Sequence, residues 1–141
     1  MLQHYLDQVN LWAILVATLA YFFLGSLWFS VLFGGVWSKE VERLGILIKD
    51  PPKSTIAAKM FQTFFGNLIA AFSMGYLVYV SHCYNWIAGL KLGLLCGIGF
   101  AAVAMIIAYT WESRSFKLQS IDTGYAVFGI TLCGIILAAW R

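Results

Sequence analysis

Side chains able to do chemistry are scarce in this sequence. The only histidines are His4 and His82, the three cysteines are Cys83, Cys96 and Cys133, and no group of them with carboxylates has metal-ligand spacing. His82 and Cys83 are adjacent ligand types, but zinc needs three or four, so the pair reads as an ordinary loop dipeptide. An odd cysteine count without C-x-x-C, two of them in apolar runs, reads as small packing residues rather than a redox pair. A glutathione-using four-helix enzyme would need an arginine inside its bundle, and a small proton-coupled exporter would need a carboxylate in its first apolar run. Both are absent. What remains are polar candidates: Asn67 within an apolar run, and Glu112, Arg114, Asp122 and Tyr125 toward the C-terminus. No catalytic, metal or cofactor constellation emerges, and the expectation is a protein that is not an enzyme and uses no cofactor.

The elements that hold these groups are dictated by solvent. Of 141 residues, 62% are hydrophobic and only 11% charged, too little polar material for a soluble domain. Four windows, residues 11–33, 60–80, 88–110 and 123–140, contain a single charged residue, Lys91, and each matches the ~20 residues a helix needs to cross the hydrocarbon core. They are apolar on all sides, unlike the alternating strands of a membrane barrel. The first window is too long for a signal core and lacks a basic flank, so it reads as a retained span. The predicted fold is an all-α integral membrane four-helix bundle in one domain, residues 1–141, made of two transmembrane hairpins.

Residues 34–59 form the long connection. Trp37, Val41, Leu44 and Ile48 recur at helical spacing with Lys39, Glu40, Glu42 and Arg43 on other faces, which predicts a short amphipathic helix on the membrane surface. Asp50, Pro51 and Pro52 stop it, Ser54 or Thr55 caps the next helix, and that helix begins several residues before Met60. Lys and Arg number five in loop 34–59 and two in loop 111–122, against Lys91 and Arg141 on the opposite side. The excess places both longer loops in the cytoplasm and both termini outside a cell (inner) membrane, with Trp12, Trp86 and Trp140 at the outer boundary and Trp37 and Trp111 at the inner one. The lipid bilayer is the expected partner, with anionic lipid under the basic first loop and no nucleic acid.

Within the spans no ionisable group lies near a centre. Lys91 snorkels outward, and Asp122 reads as a carboxylate starting the fourth helix, where it meets the helix dipole favourably. Asn67 is expected to hydrogen-bond between helices, with Tyr21, Tyr76 and Tyr79 adding polar contacts. Gly89, Gly93, Gly97, Ala101, Ala104 and Ala108 make a small-residue stripe on the third span. Such a stripe brings two backbones close, either within the chain or between copies of it in a homo-oligomer.

Two stretches resemble a known family. The run GSLWFSVLFG over residues 25–34, with Gly25, Trp28, Ser30, Phe33, Gly34 and then Trp37, resembles the first-span signature of the DUF1761 family. The run YTWESRSFKL over residues 109–118, followed by Ile121, Asp122, Thr123, Gly124, Tyr125 and Gly134, resembles its C-terminal signature. Where the family pattern often has proline after W-[FY]-S, this chain has Val31. The resemblance implies a small, mostly bacterial, four-span membrane protein without an assigned activity, and draws attention to Trp28, Glu112, Arg114, Asp122 and Tyr125. In this reading Arg114 pairs with Glu112 or Asp122, or these groups form a polar mouth for an anionic headgroup or a solute. Two functions are then open. The first is a structural or interaction bundle that self-associates through the stripe. The alternative is a passive channel or carrier for a small neutral or weakly polar solute.

Overall fold

The structure is a computed structural model and describes residues 2–45 and 51–140. A backbone without water must bond its own N–H and C=O groups, and all regular elements among the described residues are helical. A short α1 (Leu2–Gln8) precedes α2 (Leu11–Leu27), which a π turn at Trp28–Leu32 extends into the first span. Then come α3 (Gly34–Arg43) and the second span α4 (Lys53–Val80). The third span comprises α5 (Trp86–Cys96), a π segment (Gly97–Ala102) and α6 (Val103–Trp111), and α7 (Phe116–Ala139) is the fourth. All four spans are long and apolar enough to cross a membrane, as expected of a multi-pass membrane protein.

Local chemistry sets the boundaries. Asn10 caps α2 by accepting from Ala13 N–H (3.1 Å), and Asn85 caps α5 by accepting from Ala88 N–H (2.9 Å). The second span does begin before Met60, but Pro52 stands at its N-cap, and neither Ser54 nor Thr55 caps it. Proline suits this place because the first N–H groups of a helix have no intrahelical partner. The fourth span starts seven residues earlier than residue 123, at Phe116, because Ser115 Oγ accepts from Leu118 N–H (3.3 Å) and caps it. Asp122 is therefore inside the helix and is not its cap, which corrects the sequence expectation. Before Ser115, Arg114 N–H bonds Tyr109 O (3.0 Å) and Ser113 N–H bonds Thr110 O (3.2 Å), a Schellman turn with Ser113 at φ 54°. Glu112 to Ser115 thus reverse the chain in four residues.

The fourth span is the centre of the bundle. It touches α2, α4 and α5, and 44% of its apolar window is buried against 22–28% in the other three. The spans form the two expected hairpins, α2 with α4 and the third span with α7, while the consecutive α4 and α5 barely meet. Large side chains such as Phe61, Phe65, Ile69, Leu95 and Ile98 point outward, as helices solvated by lipid require. At the α1 end, Tyr5 folds back onto Phe72, Tyr76 and Tyr79 of α4, with ring centroids 5.5–5.6 Å apart.

The glycine half of the small-residue stripe is occupied within the chain. A Cβ on Gly93 would lie 2.6 Å from Thr131 Cα, one on Gly97 would lie 3.1 Å from Val127 Cα, and one on Gly89 would run into Gly134 O. Close backbone approach is what binds α5 to α7. The alanine half departs from this face, since Ala104 and Ala108 are exposed while Ala102 is buried.

Candidate functional site at the α3 end of the bundle

The π segment explains the departure. Steps of ~100° per residue put Ala101, Ala104 and Ala108 within about 40° of the direction of Gly97 in an unbroken α-helix, with Tyr109 about 120° away. One inserted residue removes a step, so Ala102, Met105 and Tyr109 take over the packed face, as their burial shows. The insertion points Tyr109 at α7.

Tyr109 there meets Asp122, which is 9% exposed. Its hydroxyl donates to Oδ2 (2.8 Å), while Trp37 Nε1–H of α3 donates to Oδ1 (2.9 Å). One carboxylate thus joins α3, the third span and α7. The C-terminal end of the first span meets the same region of α7, because Trp28 Nε1–H donates to Ile121 O (2.9 Å) and its ring lies against Gly124. Phe33 N–H reaches back to Trp28 O (2.9 Å), an i to i−5 bond, so the helix leaves α register at this point although residue 31 is valine. Gly34 allows the turn into α3, as a Cβ there would lie 2.8 Å from Phe29 O.

A second acid pins the same helix. Glu40, 7% exposed, accepts from Ser115 Oγ (2.7 Å) and pairs with Arg43 (3.3 Å). It therefore lies on the packed face of α3 beside Val41, and Leu44 is exposed, which corrects the assignment of Glu40 to the polar face. Ile48 lies outside the described residues, as do Lys49 and Asp50. Trp37 is half-buried and bonded to Asp122, whereas Trp111 is 86% exposed. Arg114 pairs with Glu112 and not with Asp122, and its guanidinium lies 4.4 Å over the Tyr109 ring. Among the described residues no cation forms an ion pair with Asp122.

Deeper in the bundle, Asn67, 7% exposed, donates through Nδ2 to Tyr125 Oη (3.3 Å), and that hydroxyl faces Tyr21 O at 3.5 Å. The Tyr21 ring lies on Gly129, and Tyr125 packs against Gly25. Phe29 stands between the two polar layers, its ring 5.4 Å from Trp37 and 5.1 Å from Tyr125. Ser30 bonds Ser26 O on the exposed side of the first span and stays outside this network. Residues 25–37 and 109–125 thus interlock through Trp28, Trp37, Tyr109, Asp122 and Tyr125.

The profile of DUF1761, a protein of unknown function, matches residues 12–138. The chain belongs to the DUF1761 family. All residues of the interlocked site fall within the matched DUF1761 region. No curated protein and no solved structure matches the chain.

In this DUF1761 member both Asp122 oxygens accept from neutral donors, an arrangement that satisfies a buried carboxylate without a direct ion pair and ties three helices together. Among the described residues no group of three or more His, Cys, Asp or Glu is placed to hold a metal. A cavity of about 200 Å³ beneath α1 and a groove of about 420 Å³ between α4, the π segment of the third span and α7 are lined by none of Asn67, Glu112, Arg114, Asp122 or Tyr125. Sequence reasoning did not single out Tyr109 and Ser115, and it placed Glu40 on the polar face. Ser115 carried a usable signal, a serine ahead of a polar-then-apolar run; the pointing of Tyr109 depends on an insertion that spacing does not reveal.

Proposed function

We propose that the chain is a non-catalytic membrane interaction protein of the inner membrane. It holds the amphipathic helix α3 at the cytoplasmic surface and, together with the lysines at the starts of the neighbouring spans, offers a basic end of the bundle to anionic lipid headgroups. The observation that carries the reading is the docking of α3: Trp37 on Asp122 and Glu40 on Ser115 fix one face, which turns Lys39 and Arg43 outward. Lys53, Lys59 and Lys117 are exposed at the starts of the neighbouring spans on the same end. Near an anionic surface each such charge contributes ~1 kcal/mol, and the same charges favour a cytoplasmic position with both termini outside.

Self-association fits this role, but through a different face from the three glycines, which contact α7. Ala104 and Ala108 are the outward members of the stripe. The alternative of a passive solute path draws no support from Asn67, which is bonded to Tyr125. The test is retention of phosphatidylglycerol by the purified protein, measured by native mass spectrometry from mixed phosphatidylglycerol and phosphatidylcholine nanodiscs. Lys39→Gln with Arg43→Gln should lower retention of the anionic lipid alone; equal retention by this variant and the wild type would defeat the proposal.

A further inference from the structure

We infer that the C-terminal half of the third span has two packing registers on α7, and that moving between them makes or breaks the Tyr109–Asp122 contact. Two independent observations carry this. The first is the π segment Gly97–Ala102, an insertion that sets Ala102, Met105 and Tyr109 on the packed face. The second is the stripe that continues past the insertion in α register, since Ala101, Ala104 and Ala108 come after Gly97 at the spacing of the glycines before it. If the insertion is carried to the end of the helix, these three alanines return to the α7 face, where no side chain larger than a methyl has to be accommodated.

Sequence and turn both permit the change. Gly99 sits inside the insertion with nothing within 4 Å of a Cβ built on it, so the insertion is not wedged in place there. Beyond α6 the chain enters the turn Glu112–Ser115, whose Ser113 occupies the left-handed region at φ 54°, a conformation L residues rarely adopt. Rotation by one step of ~100° withdraws Tyr109 from Asp122 Oδ2 and leaves the carboxylate held by Trp37 alone. Packed helices of this kind have discrete arrangements and not a continuum. The contact with Asp122 then selects the observed register, and α3, attached to the same carboxylate, senses the choice.

Methyl NMR of protein carrying 13C-methyl alanine and methionine, in nanodiscs, reports the register at the native Ala104, Ala108 and Met105 side chains through relaxation by oxygen dissolved in the lipid. In the observed register the Ala104 and Ala108 methyls are lipid-exposed and that of Met105 is partly shielded. Tyr109→Phe removes the hydroxyl while keeping the ring, and Asp122→Asn removes the charge. Each should lower oxygen accessibility at 104 and 108 by at least about two-fold, toward the value at 105. Deleting Gly99 removes the inserted residue while leaving Tyr109 on α7, so in that background the same substitutions should have no effect. Unchanged accessibility in both Tyr109→Phe and Asp122→Asn overturns the proposal. So does an equal fall with and without Gly99, which would be general loosening.

Discussion

Replacing Gly93 by alanine asks whether the glycine stripe belongs to the fold or to an interface between copies. A Cβ at Gly93 would lie 2.6 Å from Thr131 Cα, with Thr131 O at 3.1 Å and Ile130 O at 3.2 Å. All three are backbone atoms and cannot rotate away. Restoring an ordinary contact of 3.4 Å requires α5 and α7 to separate by about 0.8 Å at this level, along the seam where the third span is held. Overpacking of this kind costs roughly 1–3 kcal/mol, offset by the ~1 kcal/mol that alanine gains over glycine in helix propensity, and contact with unyielding backbone puts the cost toward the upper end. Gly66→Ala is the matched control, since nothing lies within 4 Å of a Cβ there. Equilibrium unfolding in mixed micelles, monitored by circular dichroism, should show Gly93→Ala less stable by about 1–2 kcal/mol and Gly66→Ala unchanged or more stable. Gly93→Ala as stable as Gly66→Ala, with a change only in oligomeric state, would refute the assignment of the stripe to the chain's own fourth span.

Other substitutions probe the site. Asp122→Ala leaves the Trp37 and Tyr109 donors without an acceptor and should destabilise by about 3 kcal/mol or more, whereas Tyr109→Phe removes one charge-assisted bond and should cost about 1.5–3 kcal/mol in the same unfolding assay. Ser113→Gly relieves a left-handed serine and should stabilise by about 1 kcal/mol in the same assay. Ser115→Ala removes both the cap of α7 and the donor to Glu40; a loss of about 1–3 kcal/mol is expected, and Ser115→Thr should restore most of it.

Charge segregation made the four spans legible, because lipid excludes ionic groups from every face of a crossing helix. The same criterion misplaced the start of the fourth span. Lys117 and Asp122 look like loop residues, yet Lys117 lies exposed in the first turn of α7 and Asp122 is satisfied inside the protein by Trp37 and Tyr109. The expectation that failed is the placing of Asp122 at the start of the fourth helix; it lies two turns in, where tertiary donors replace water. Glu40 was misread for a related reason: an amphipathic helix was assumed to rest on lipid, whereas α3 packs on α7 and its Glu40 bonds Ser115 there. The stripe from Gly89 to Gly97 was readable from spacing alone. Its continuation through Ala104 and Ala108 was not realised, because one inserted residue rotates the rest of the helix while leaving the composition unaltered.

In the proposed function α3 is held by Asp122 so that Lys39 and Arg43 meet anionic lipid. Trp37→Phe tests this most directly, since it deletes the N–H that bonds Asp122 Oδ1 while changing no charge and keeping an aromatic ring beside Phe29. Phosphatidylglycerol retention by native mass spectrometry should fall in Trp37→Phe toward the level of the Lys39→Gln and Arg43→Gln variant, with phosphatidylcholine retention unchanged. Retention equal to that of the wild type, in a variant that keeps its helical content, would contradict the claim.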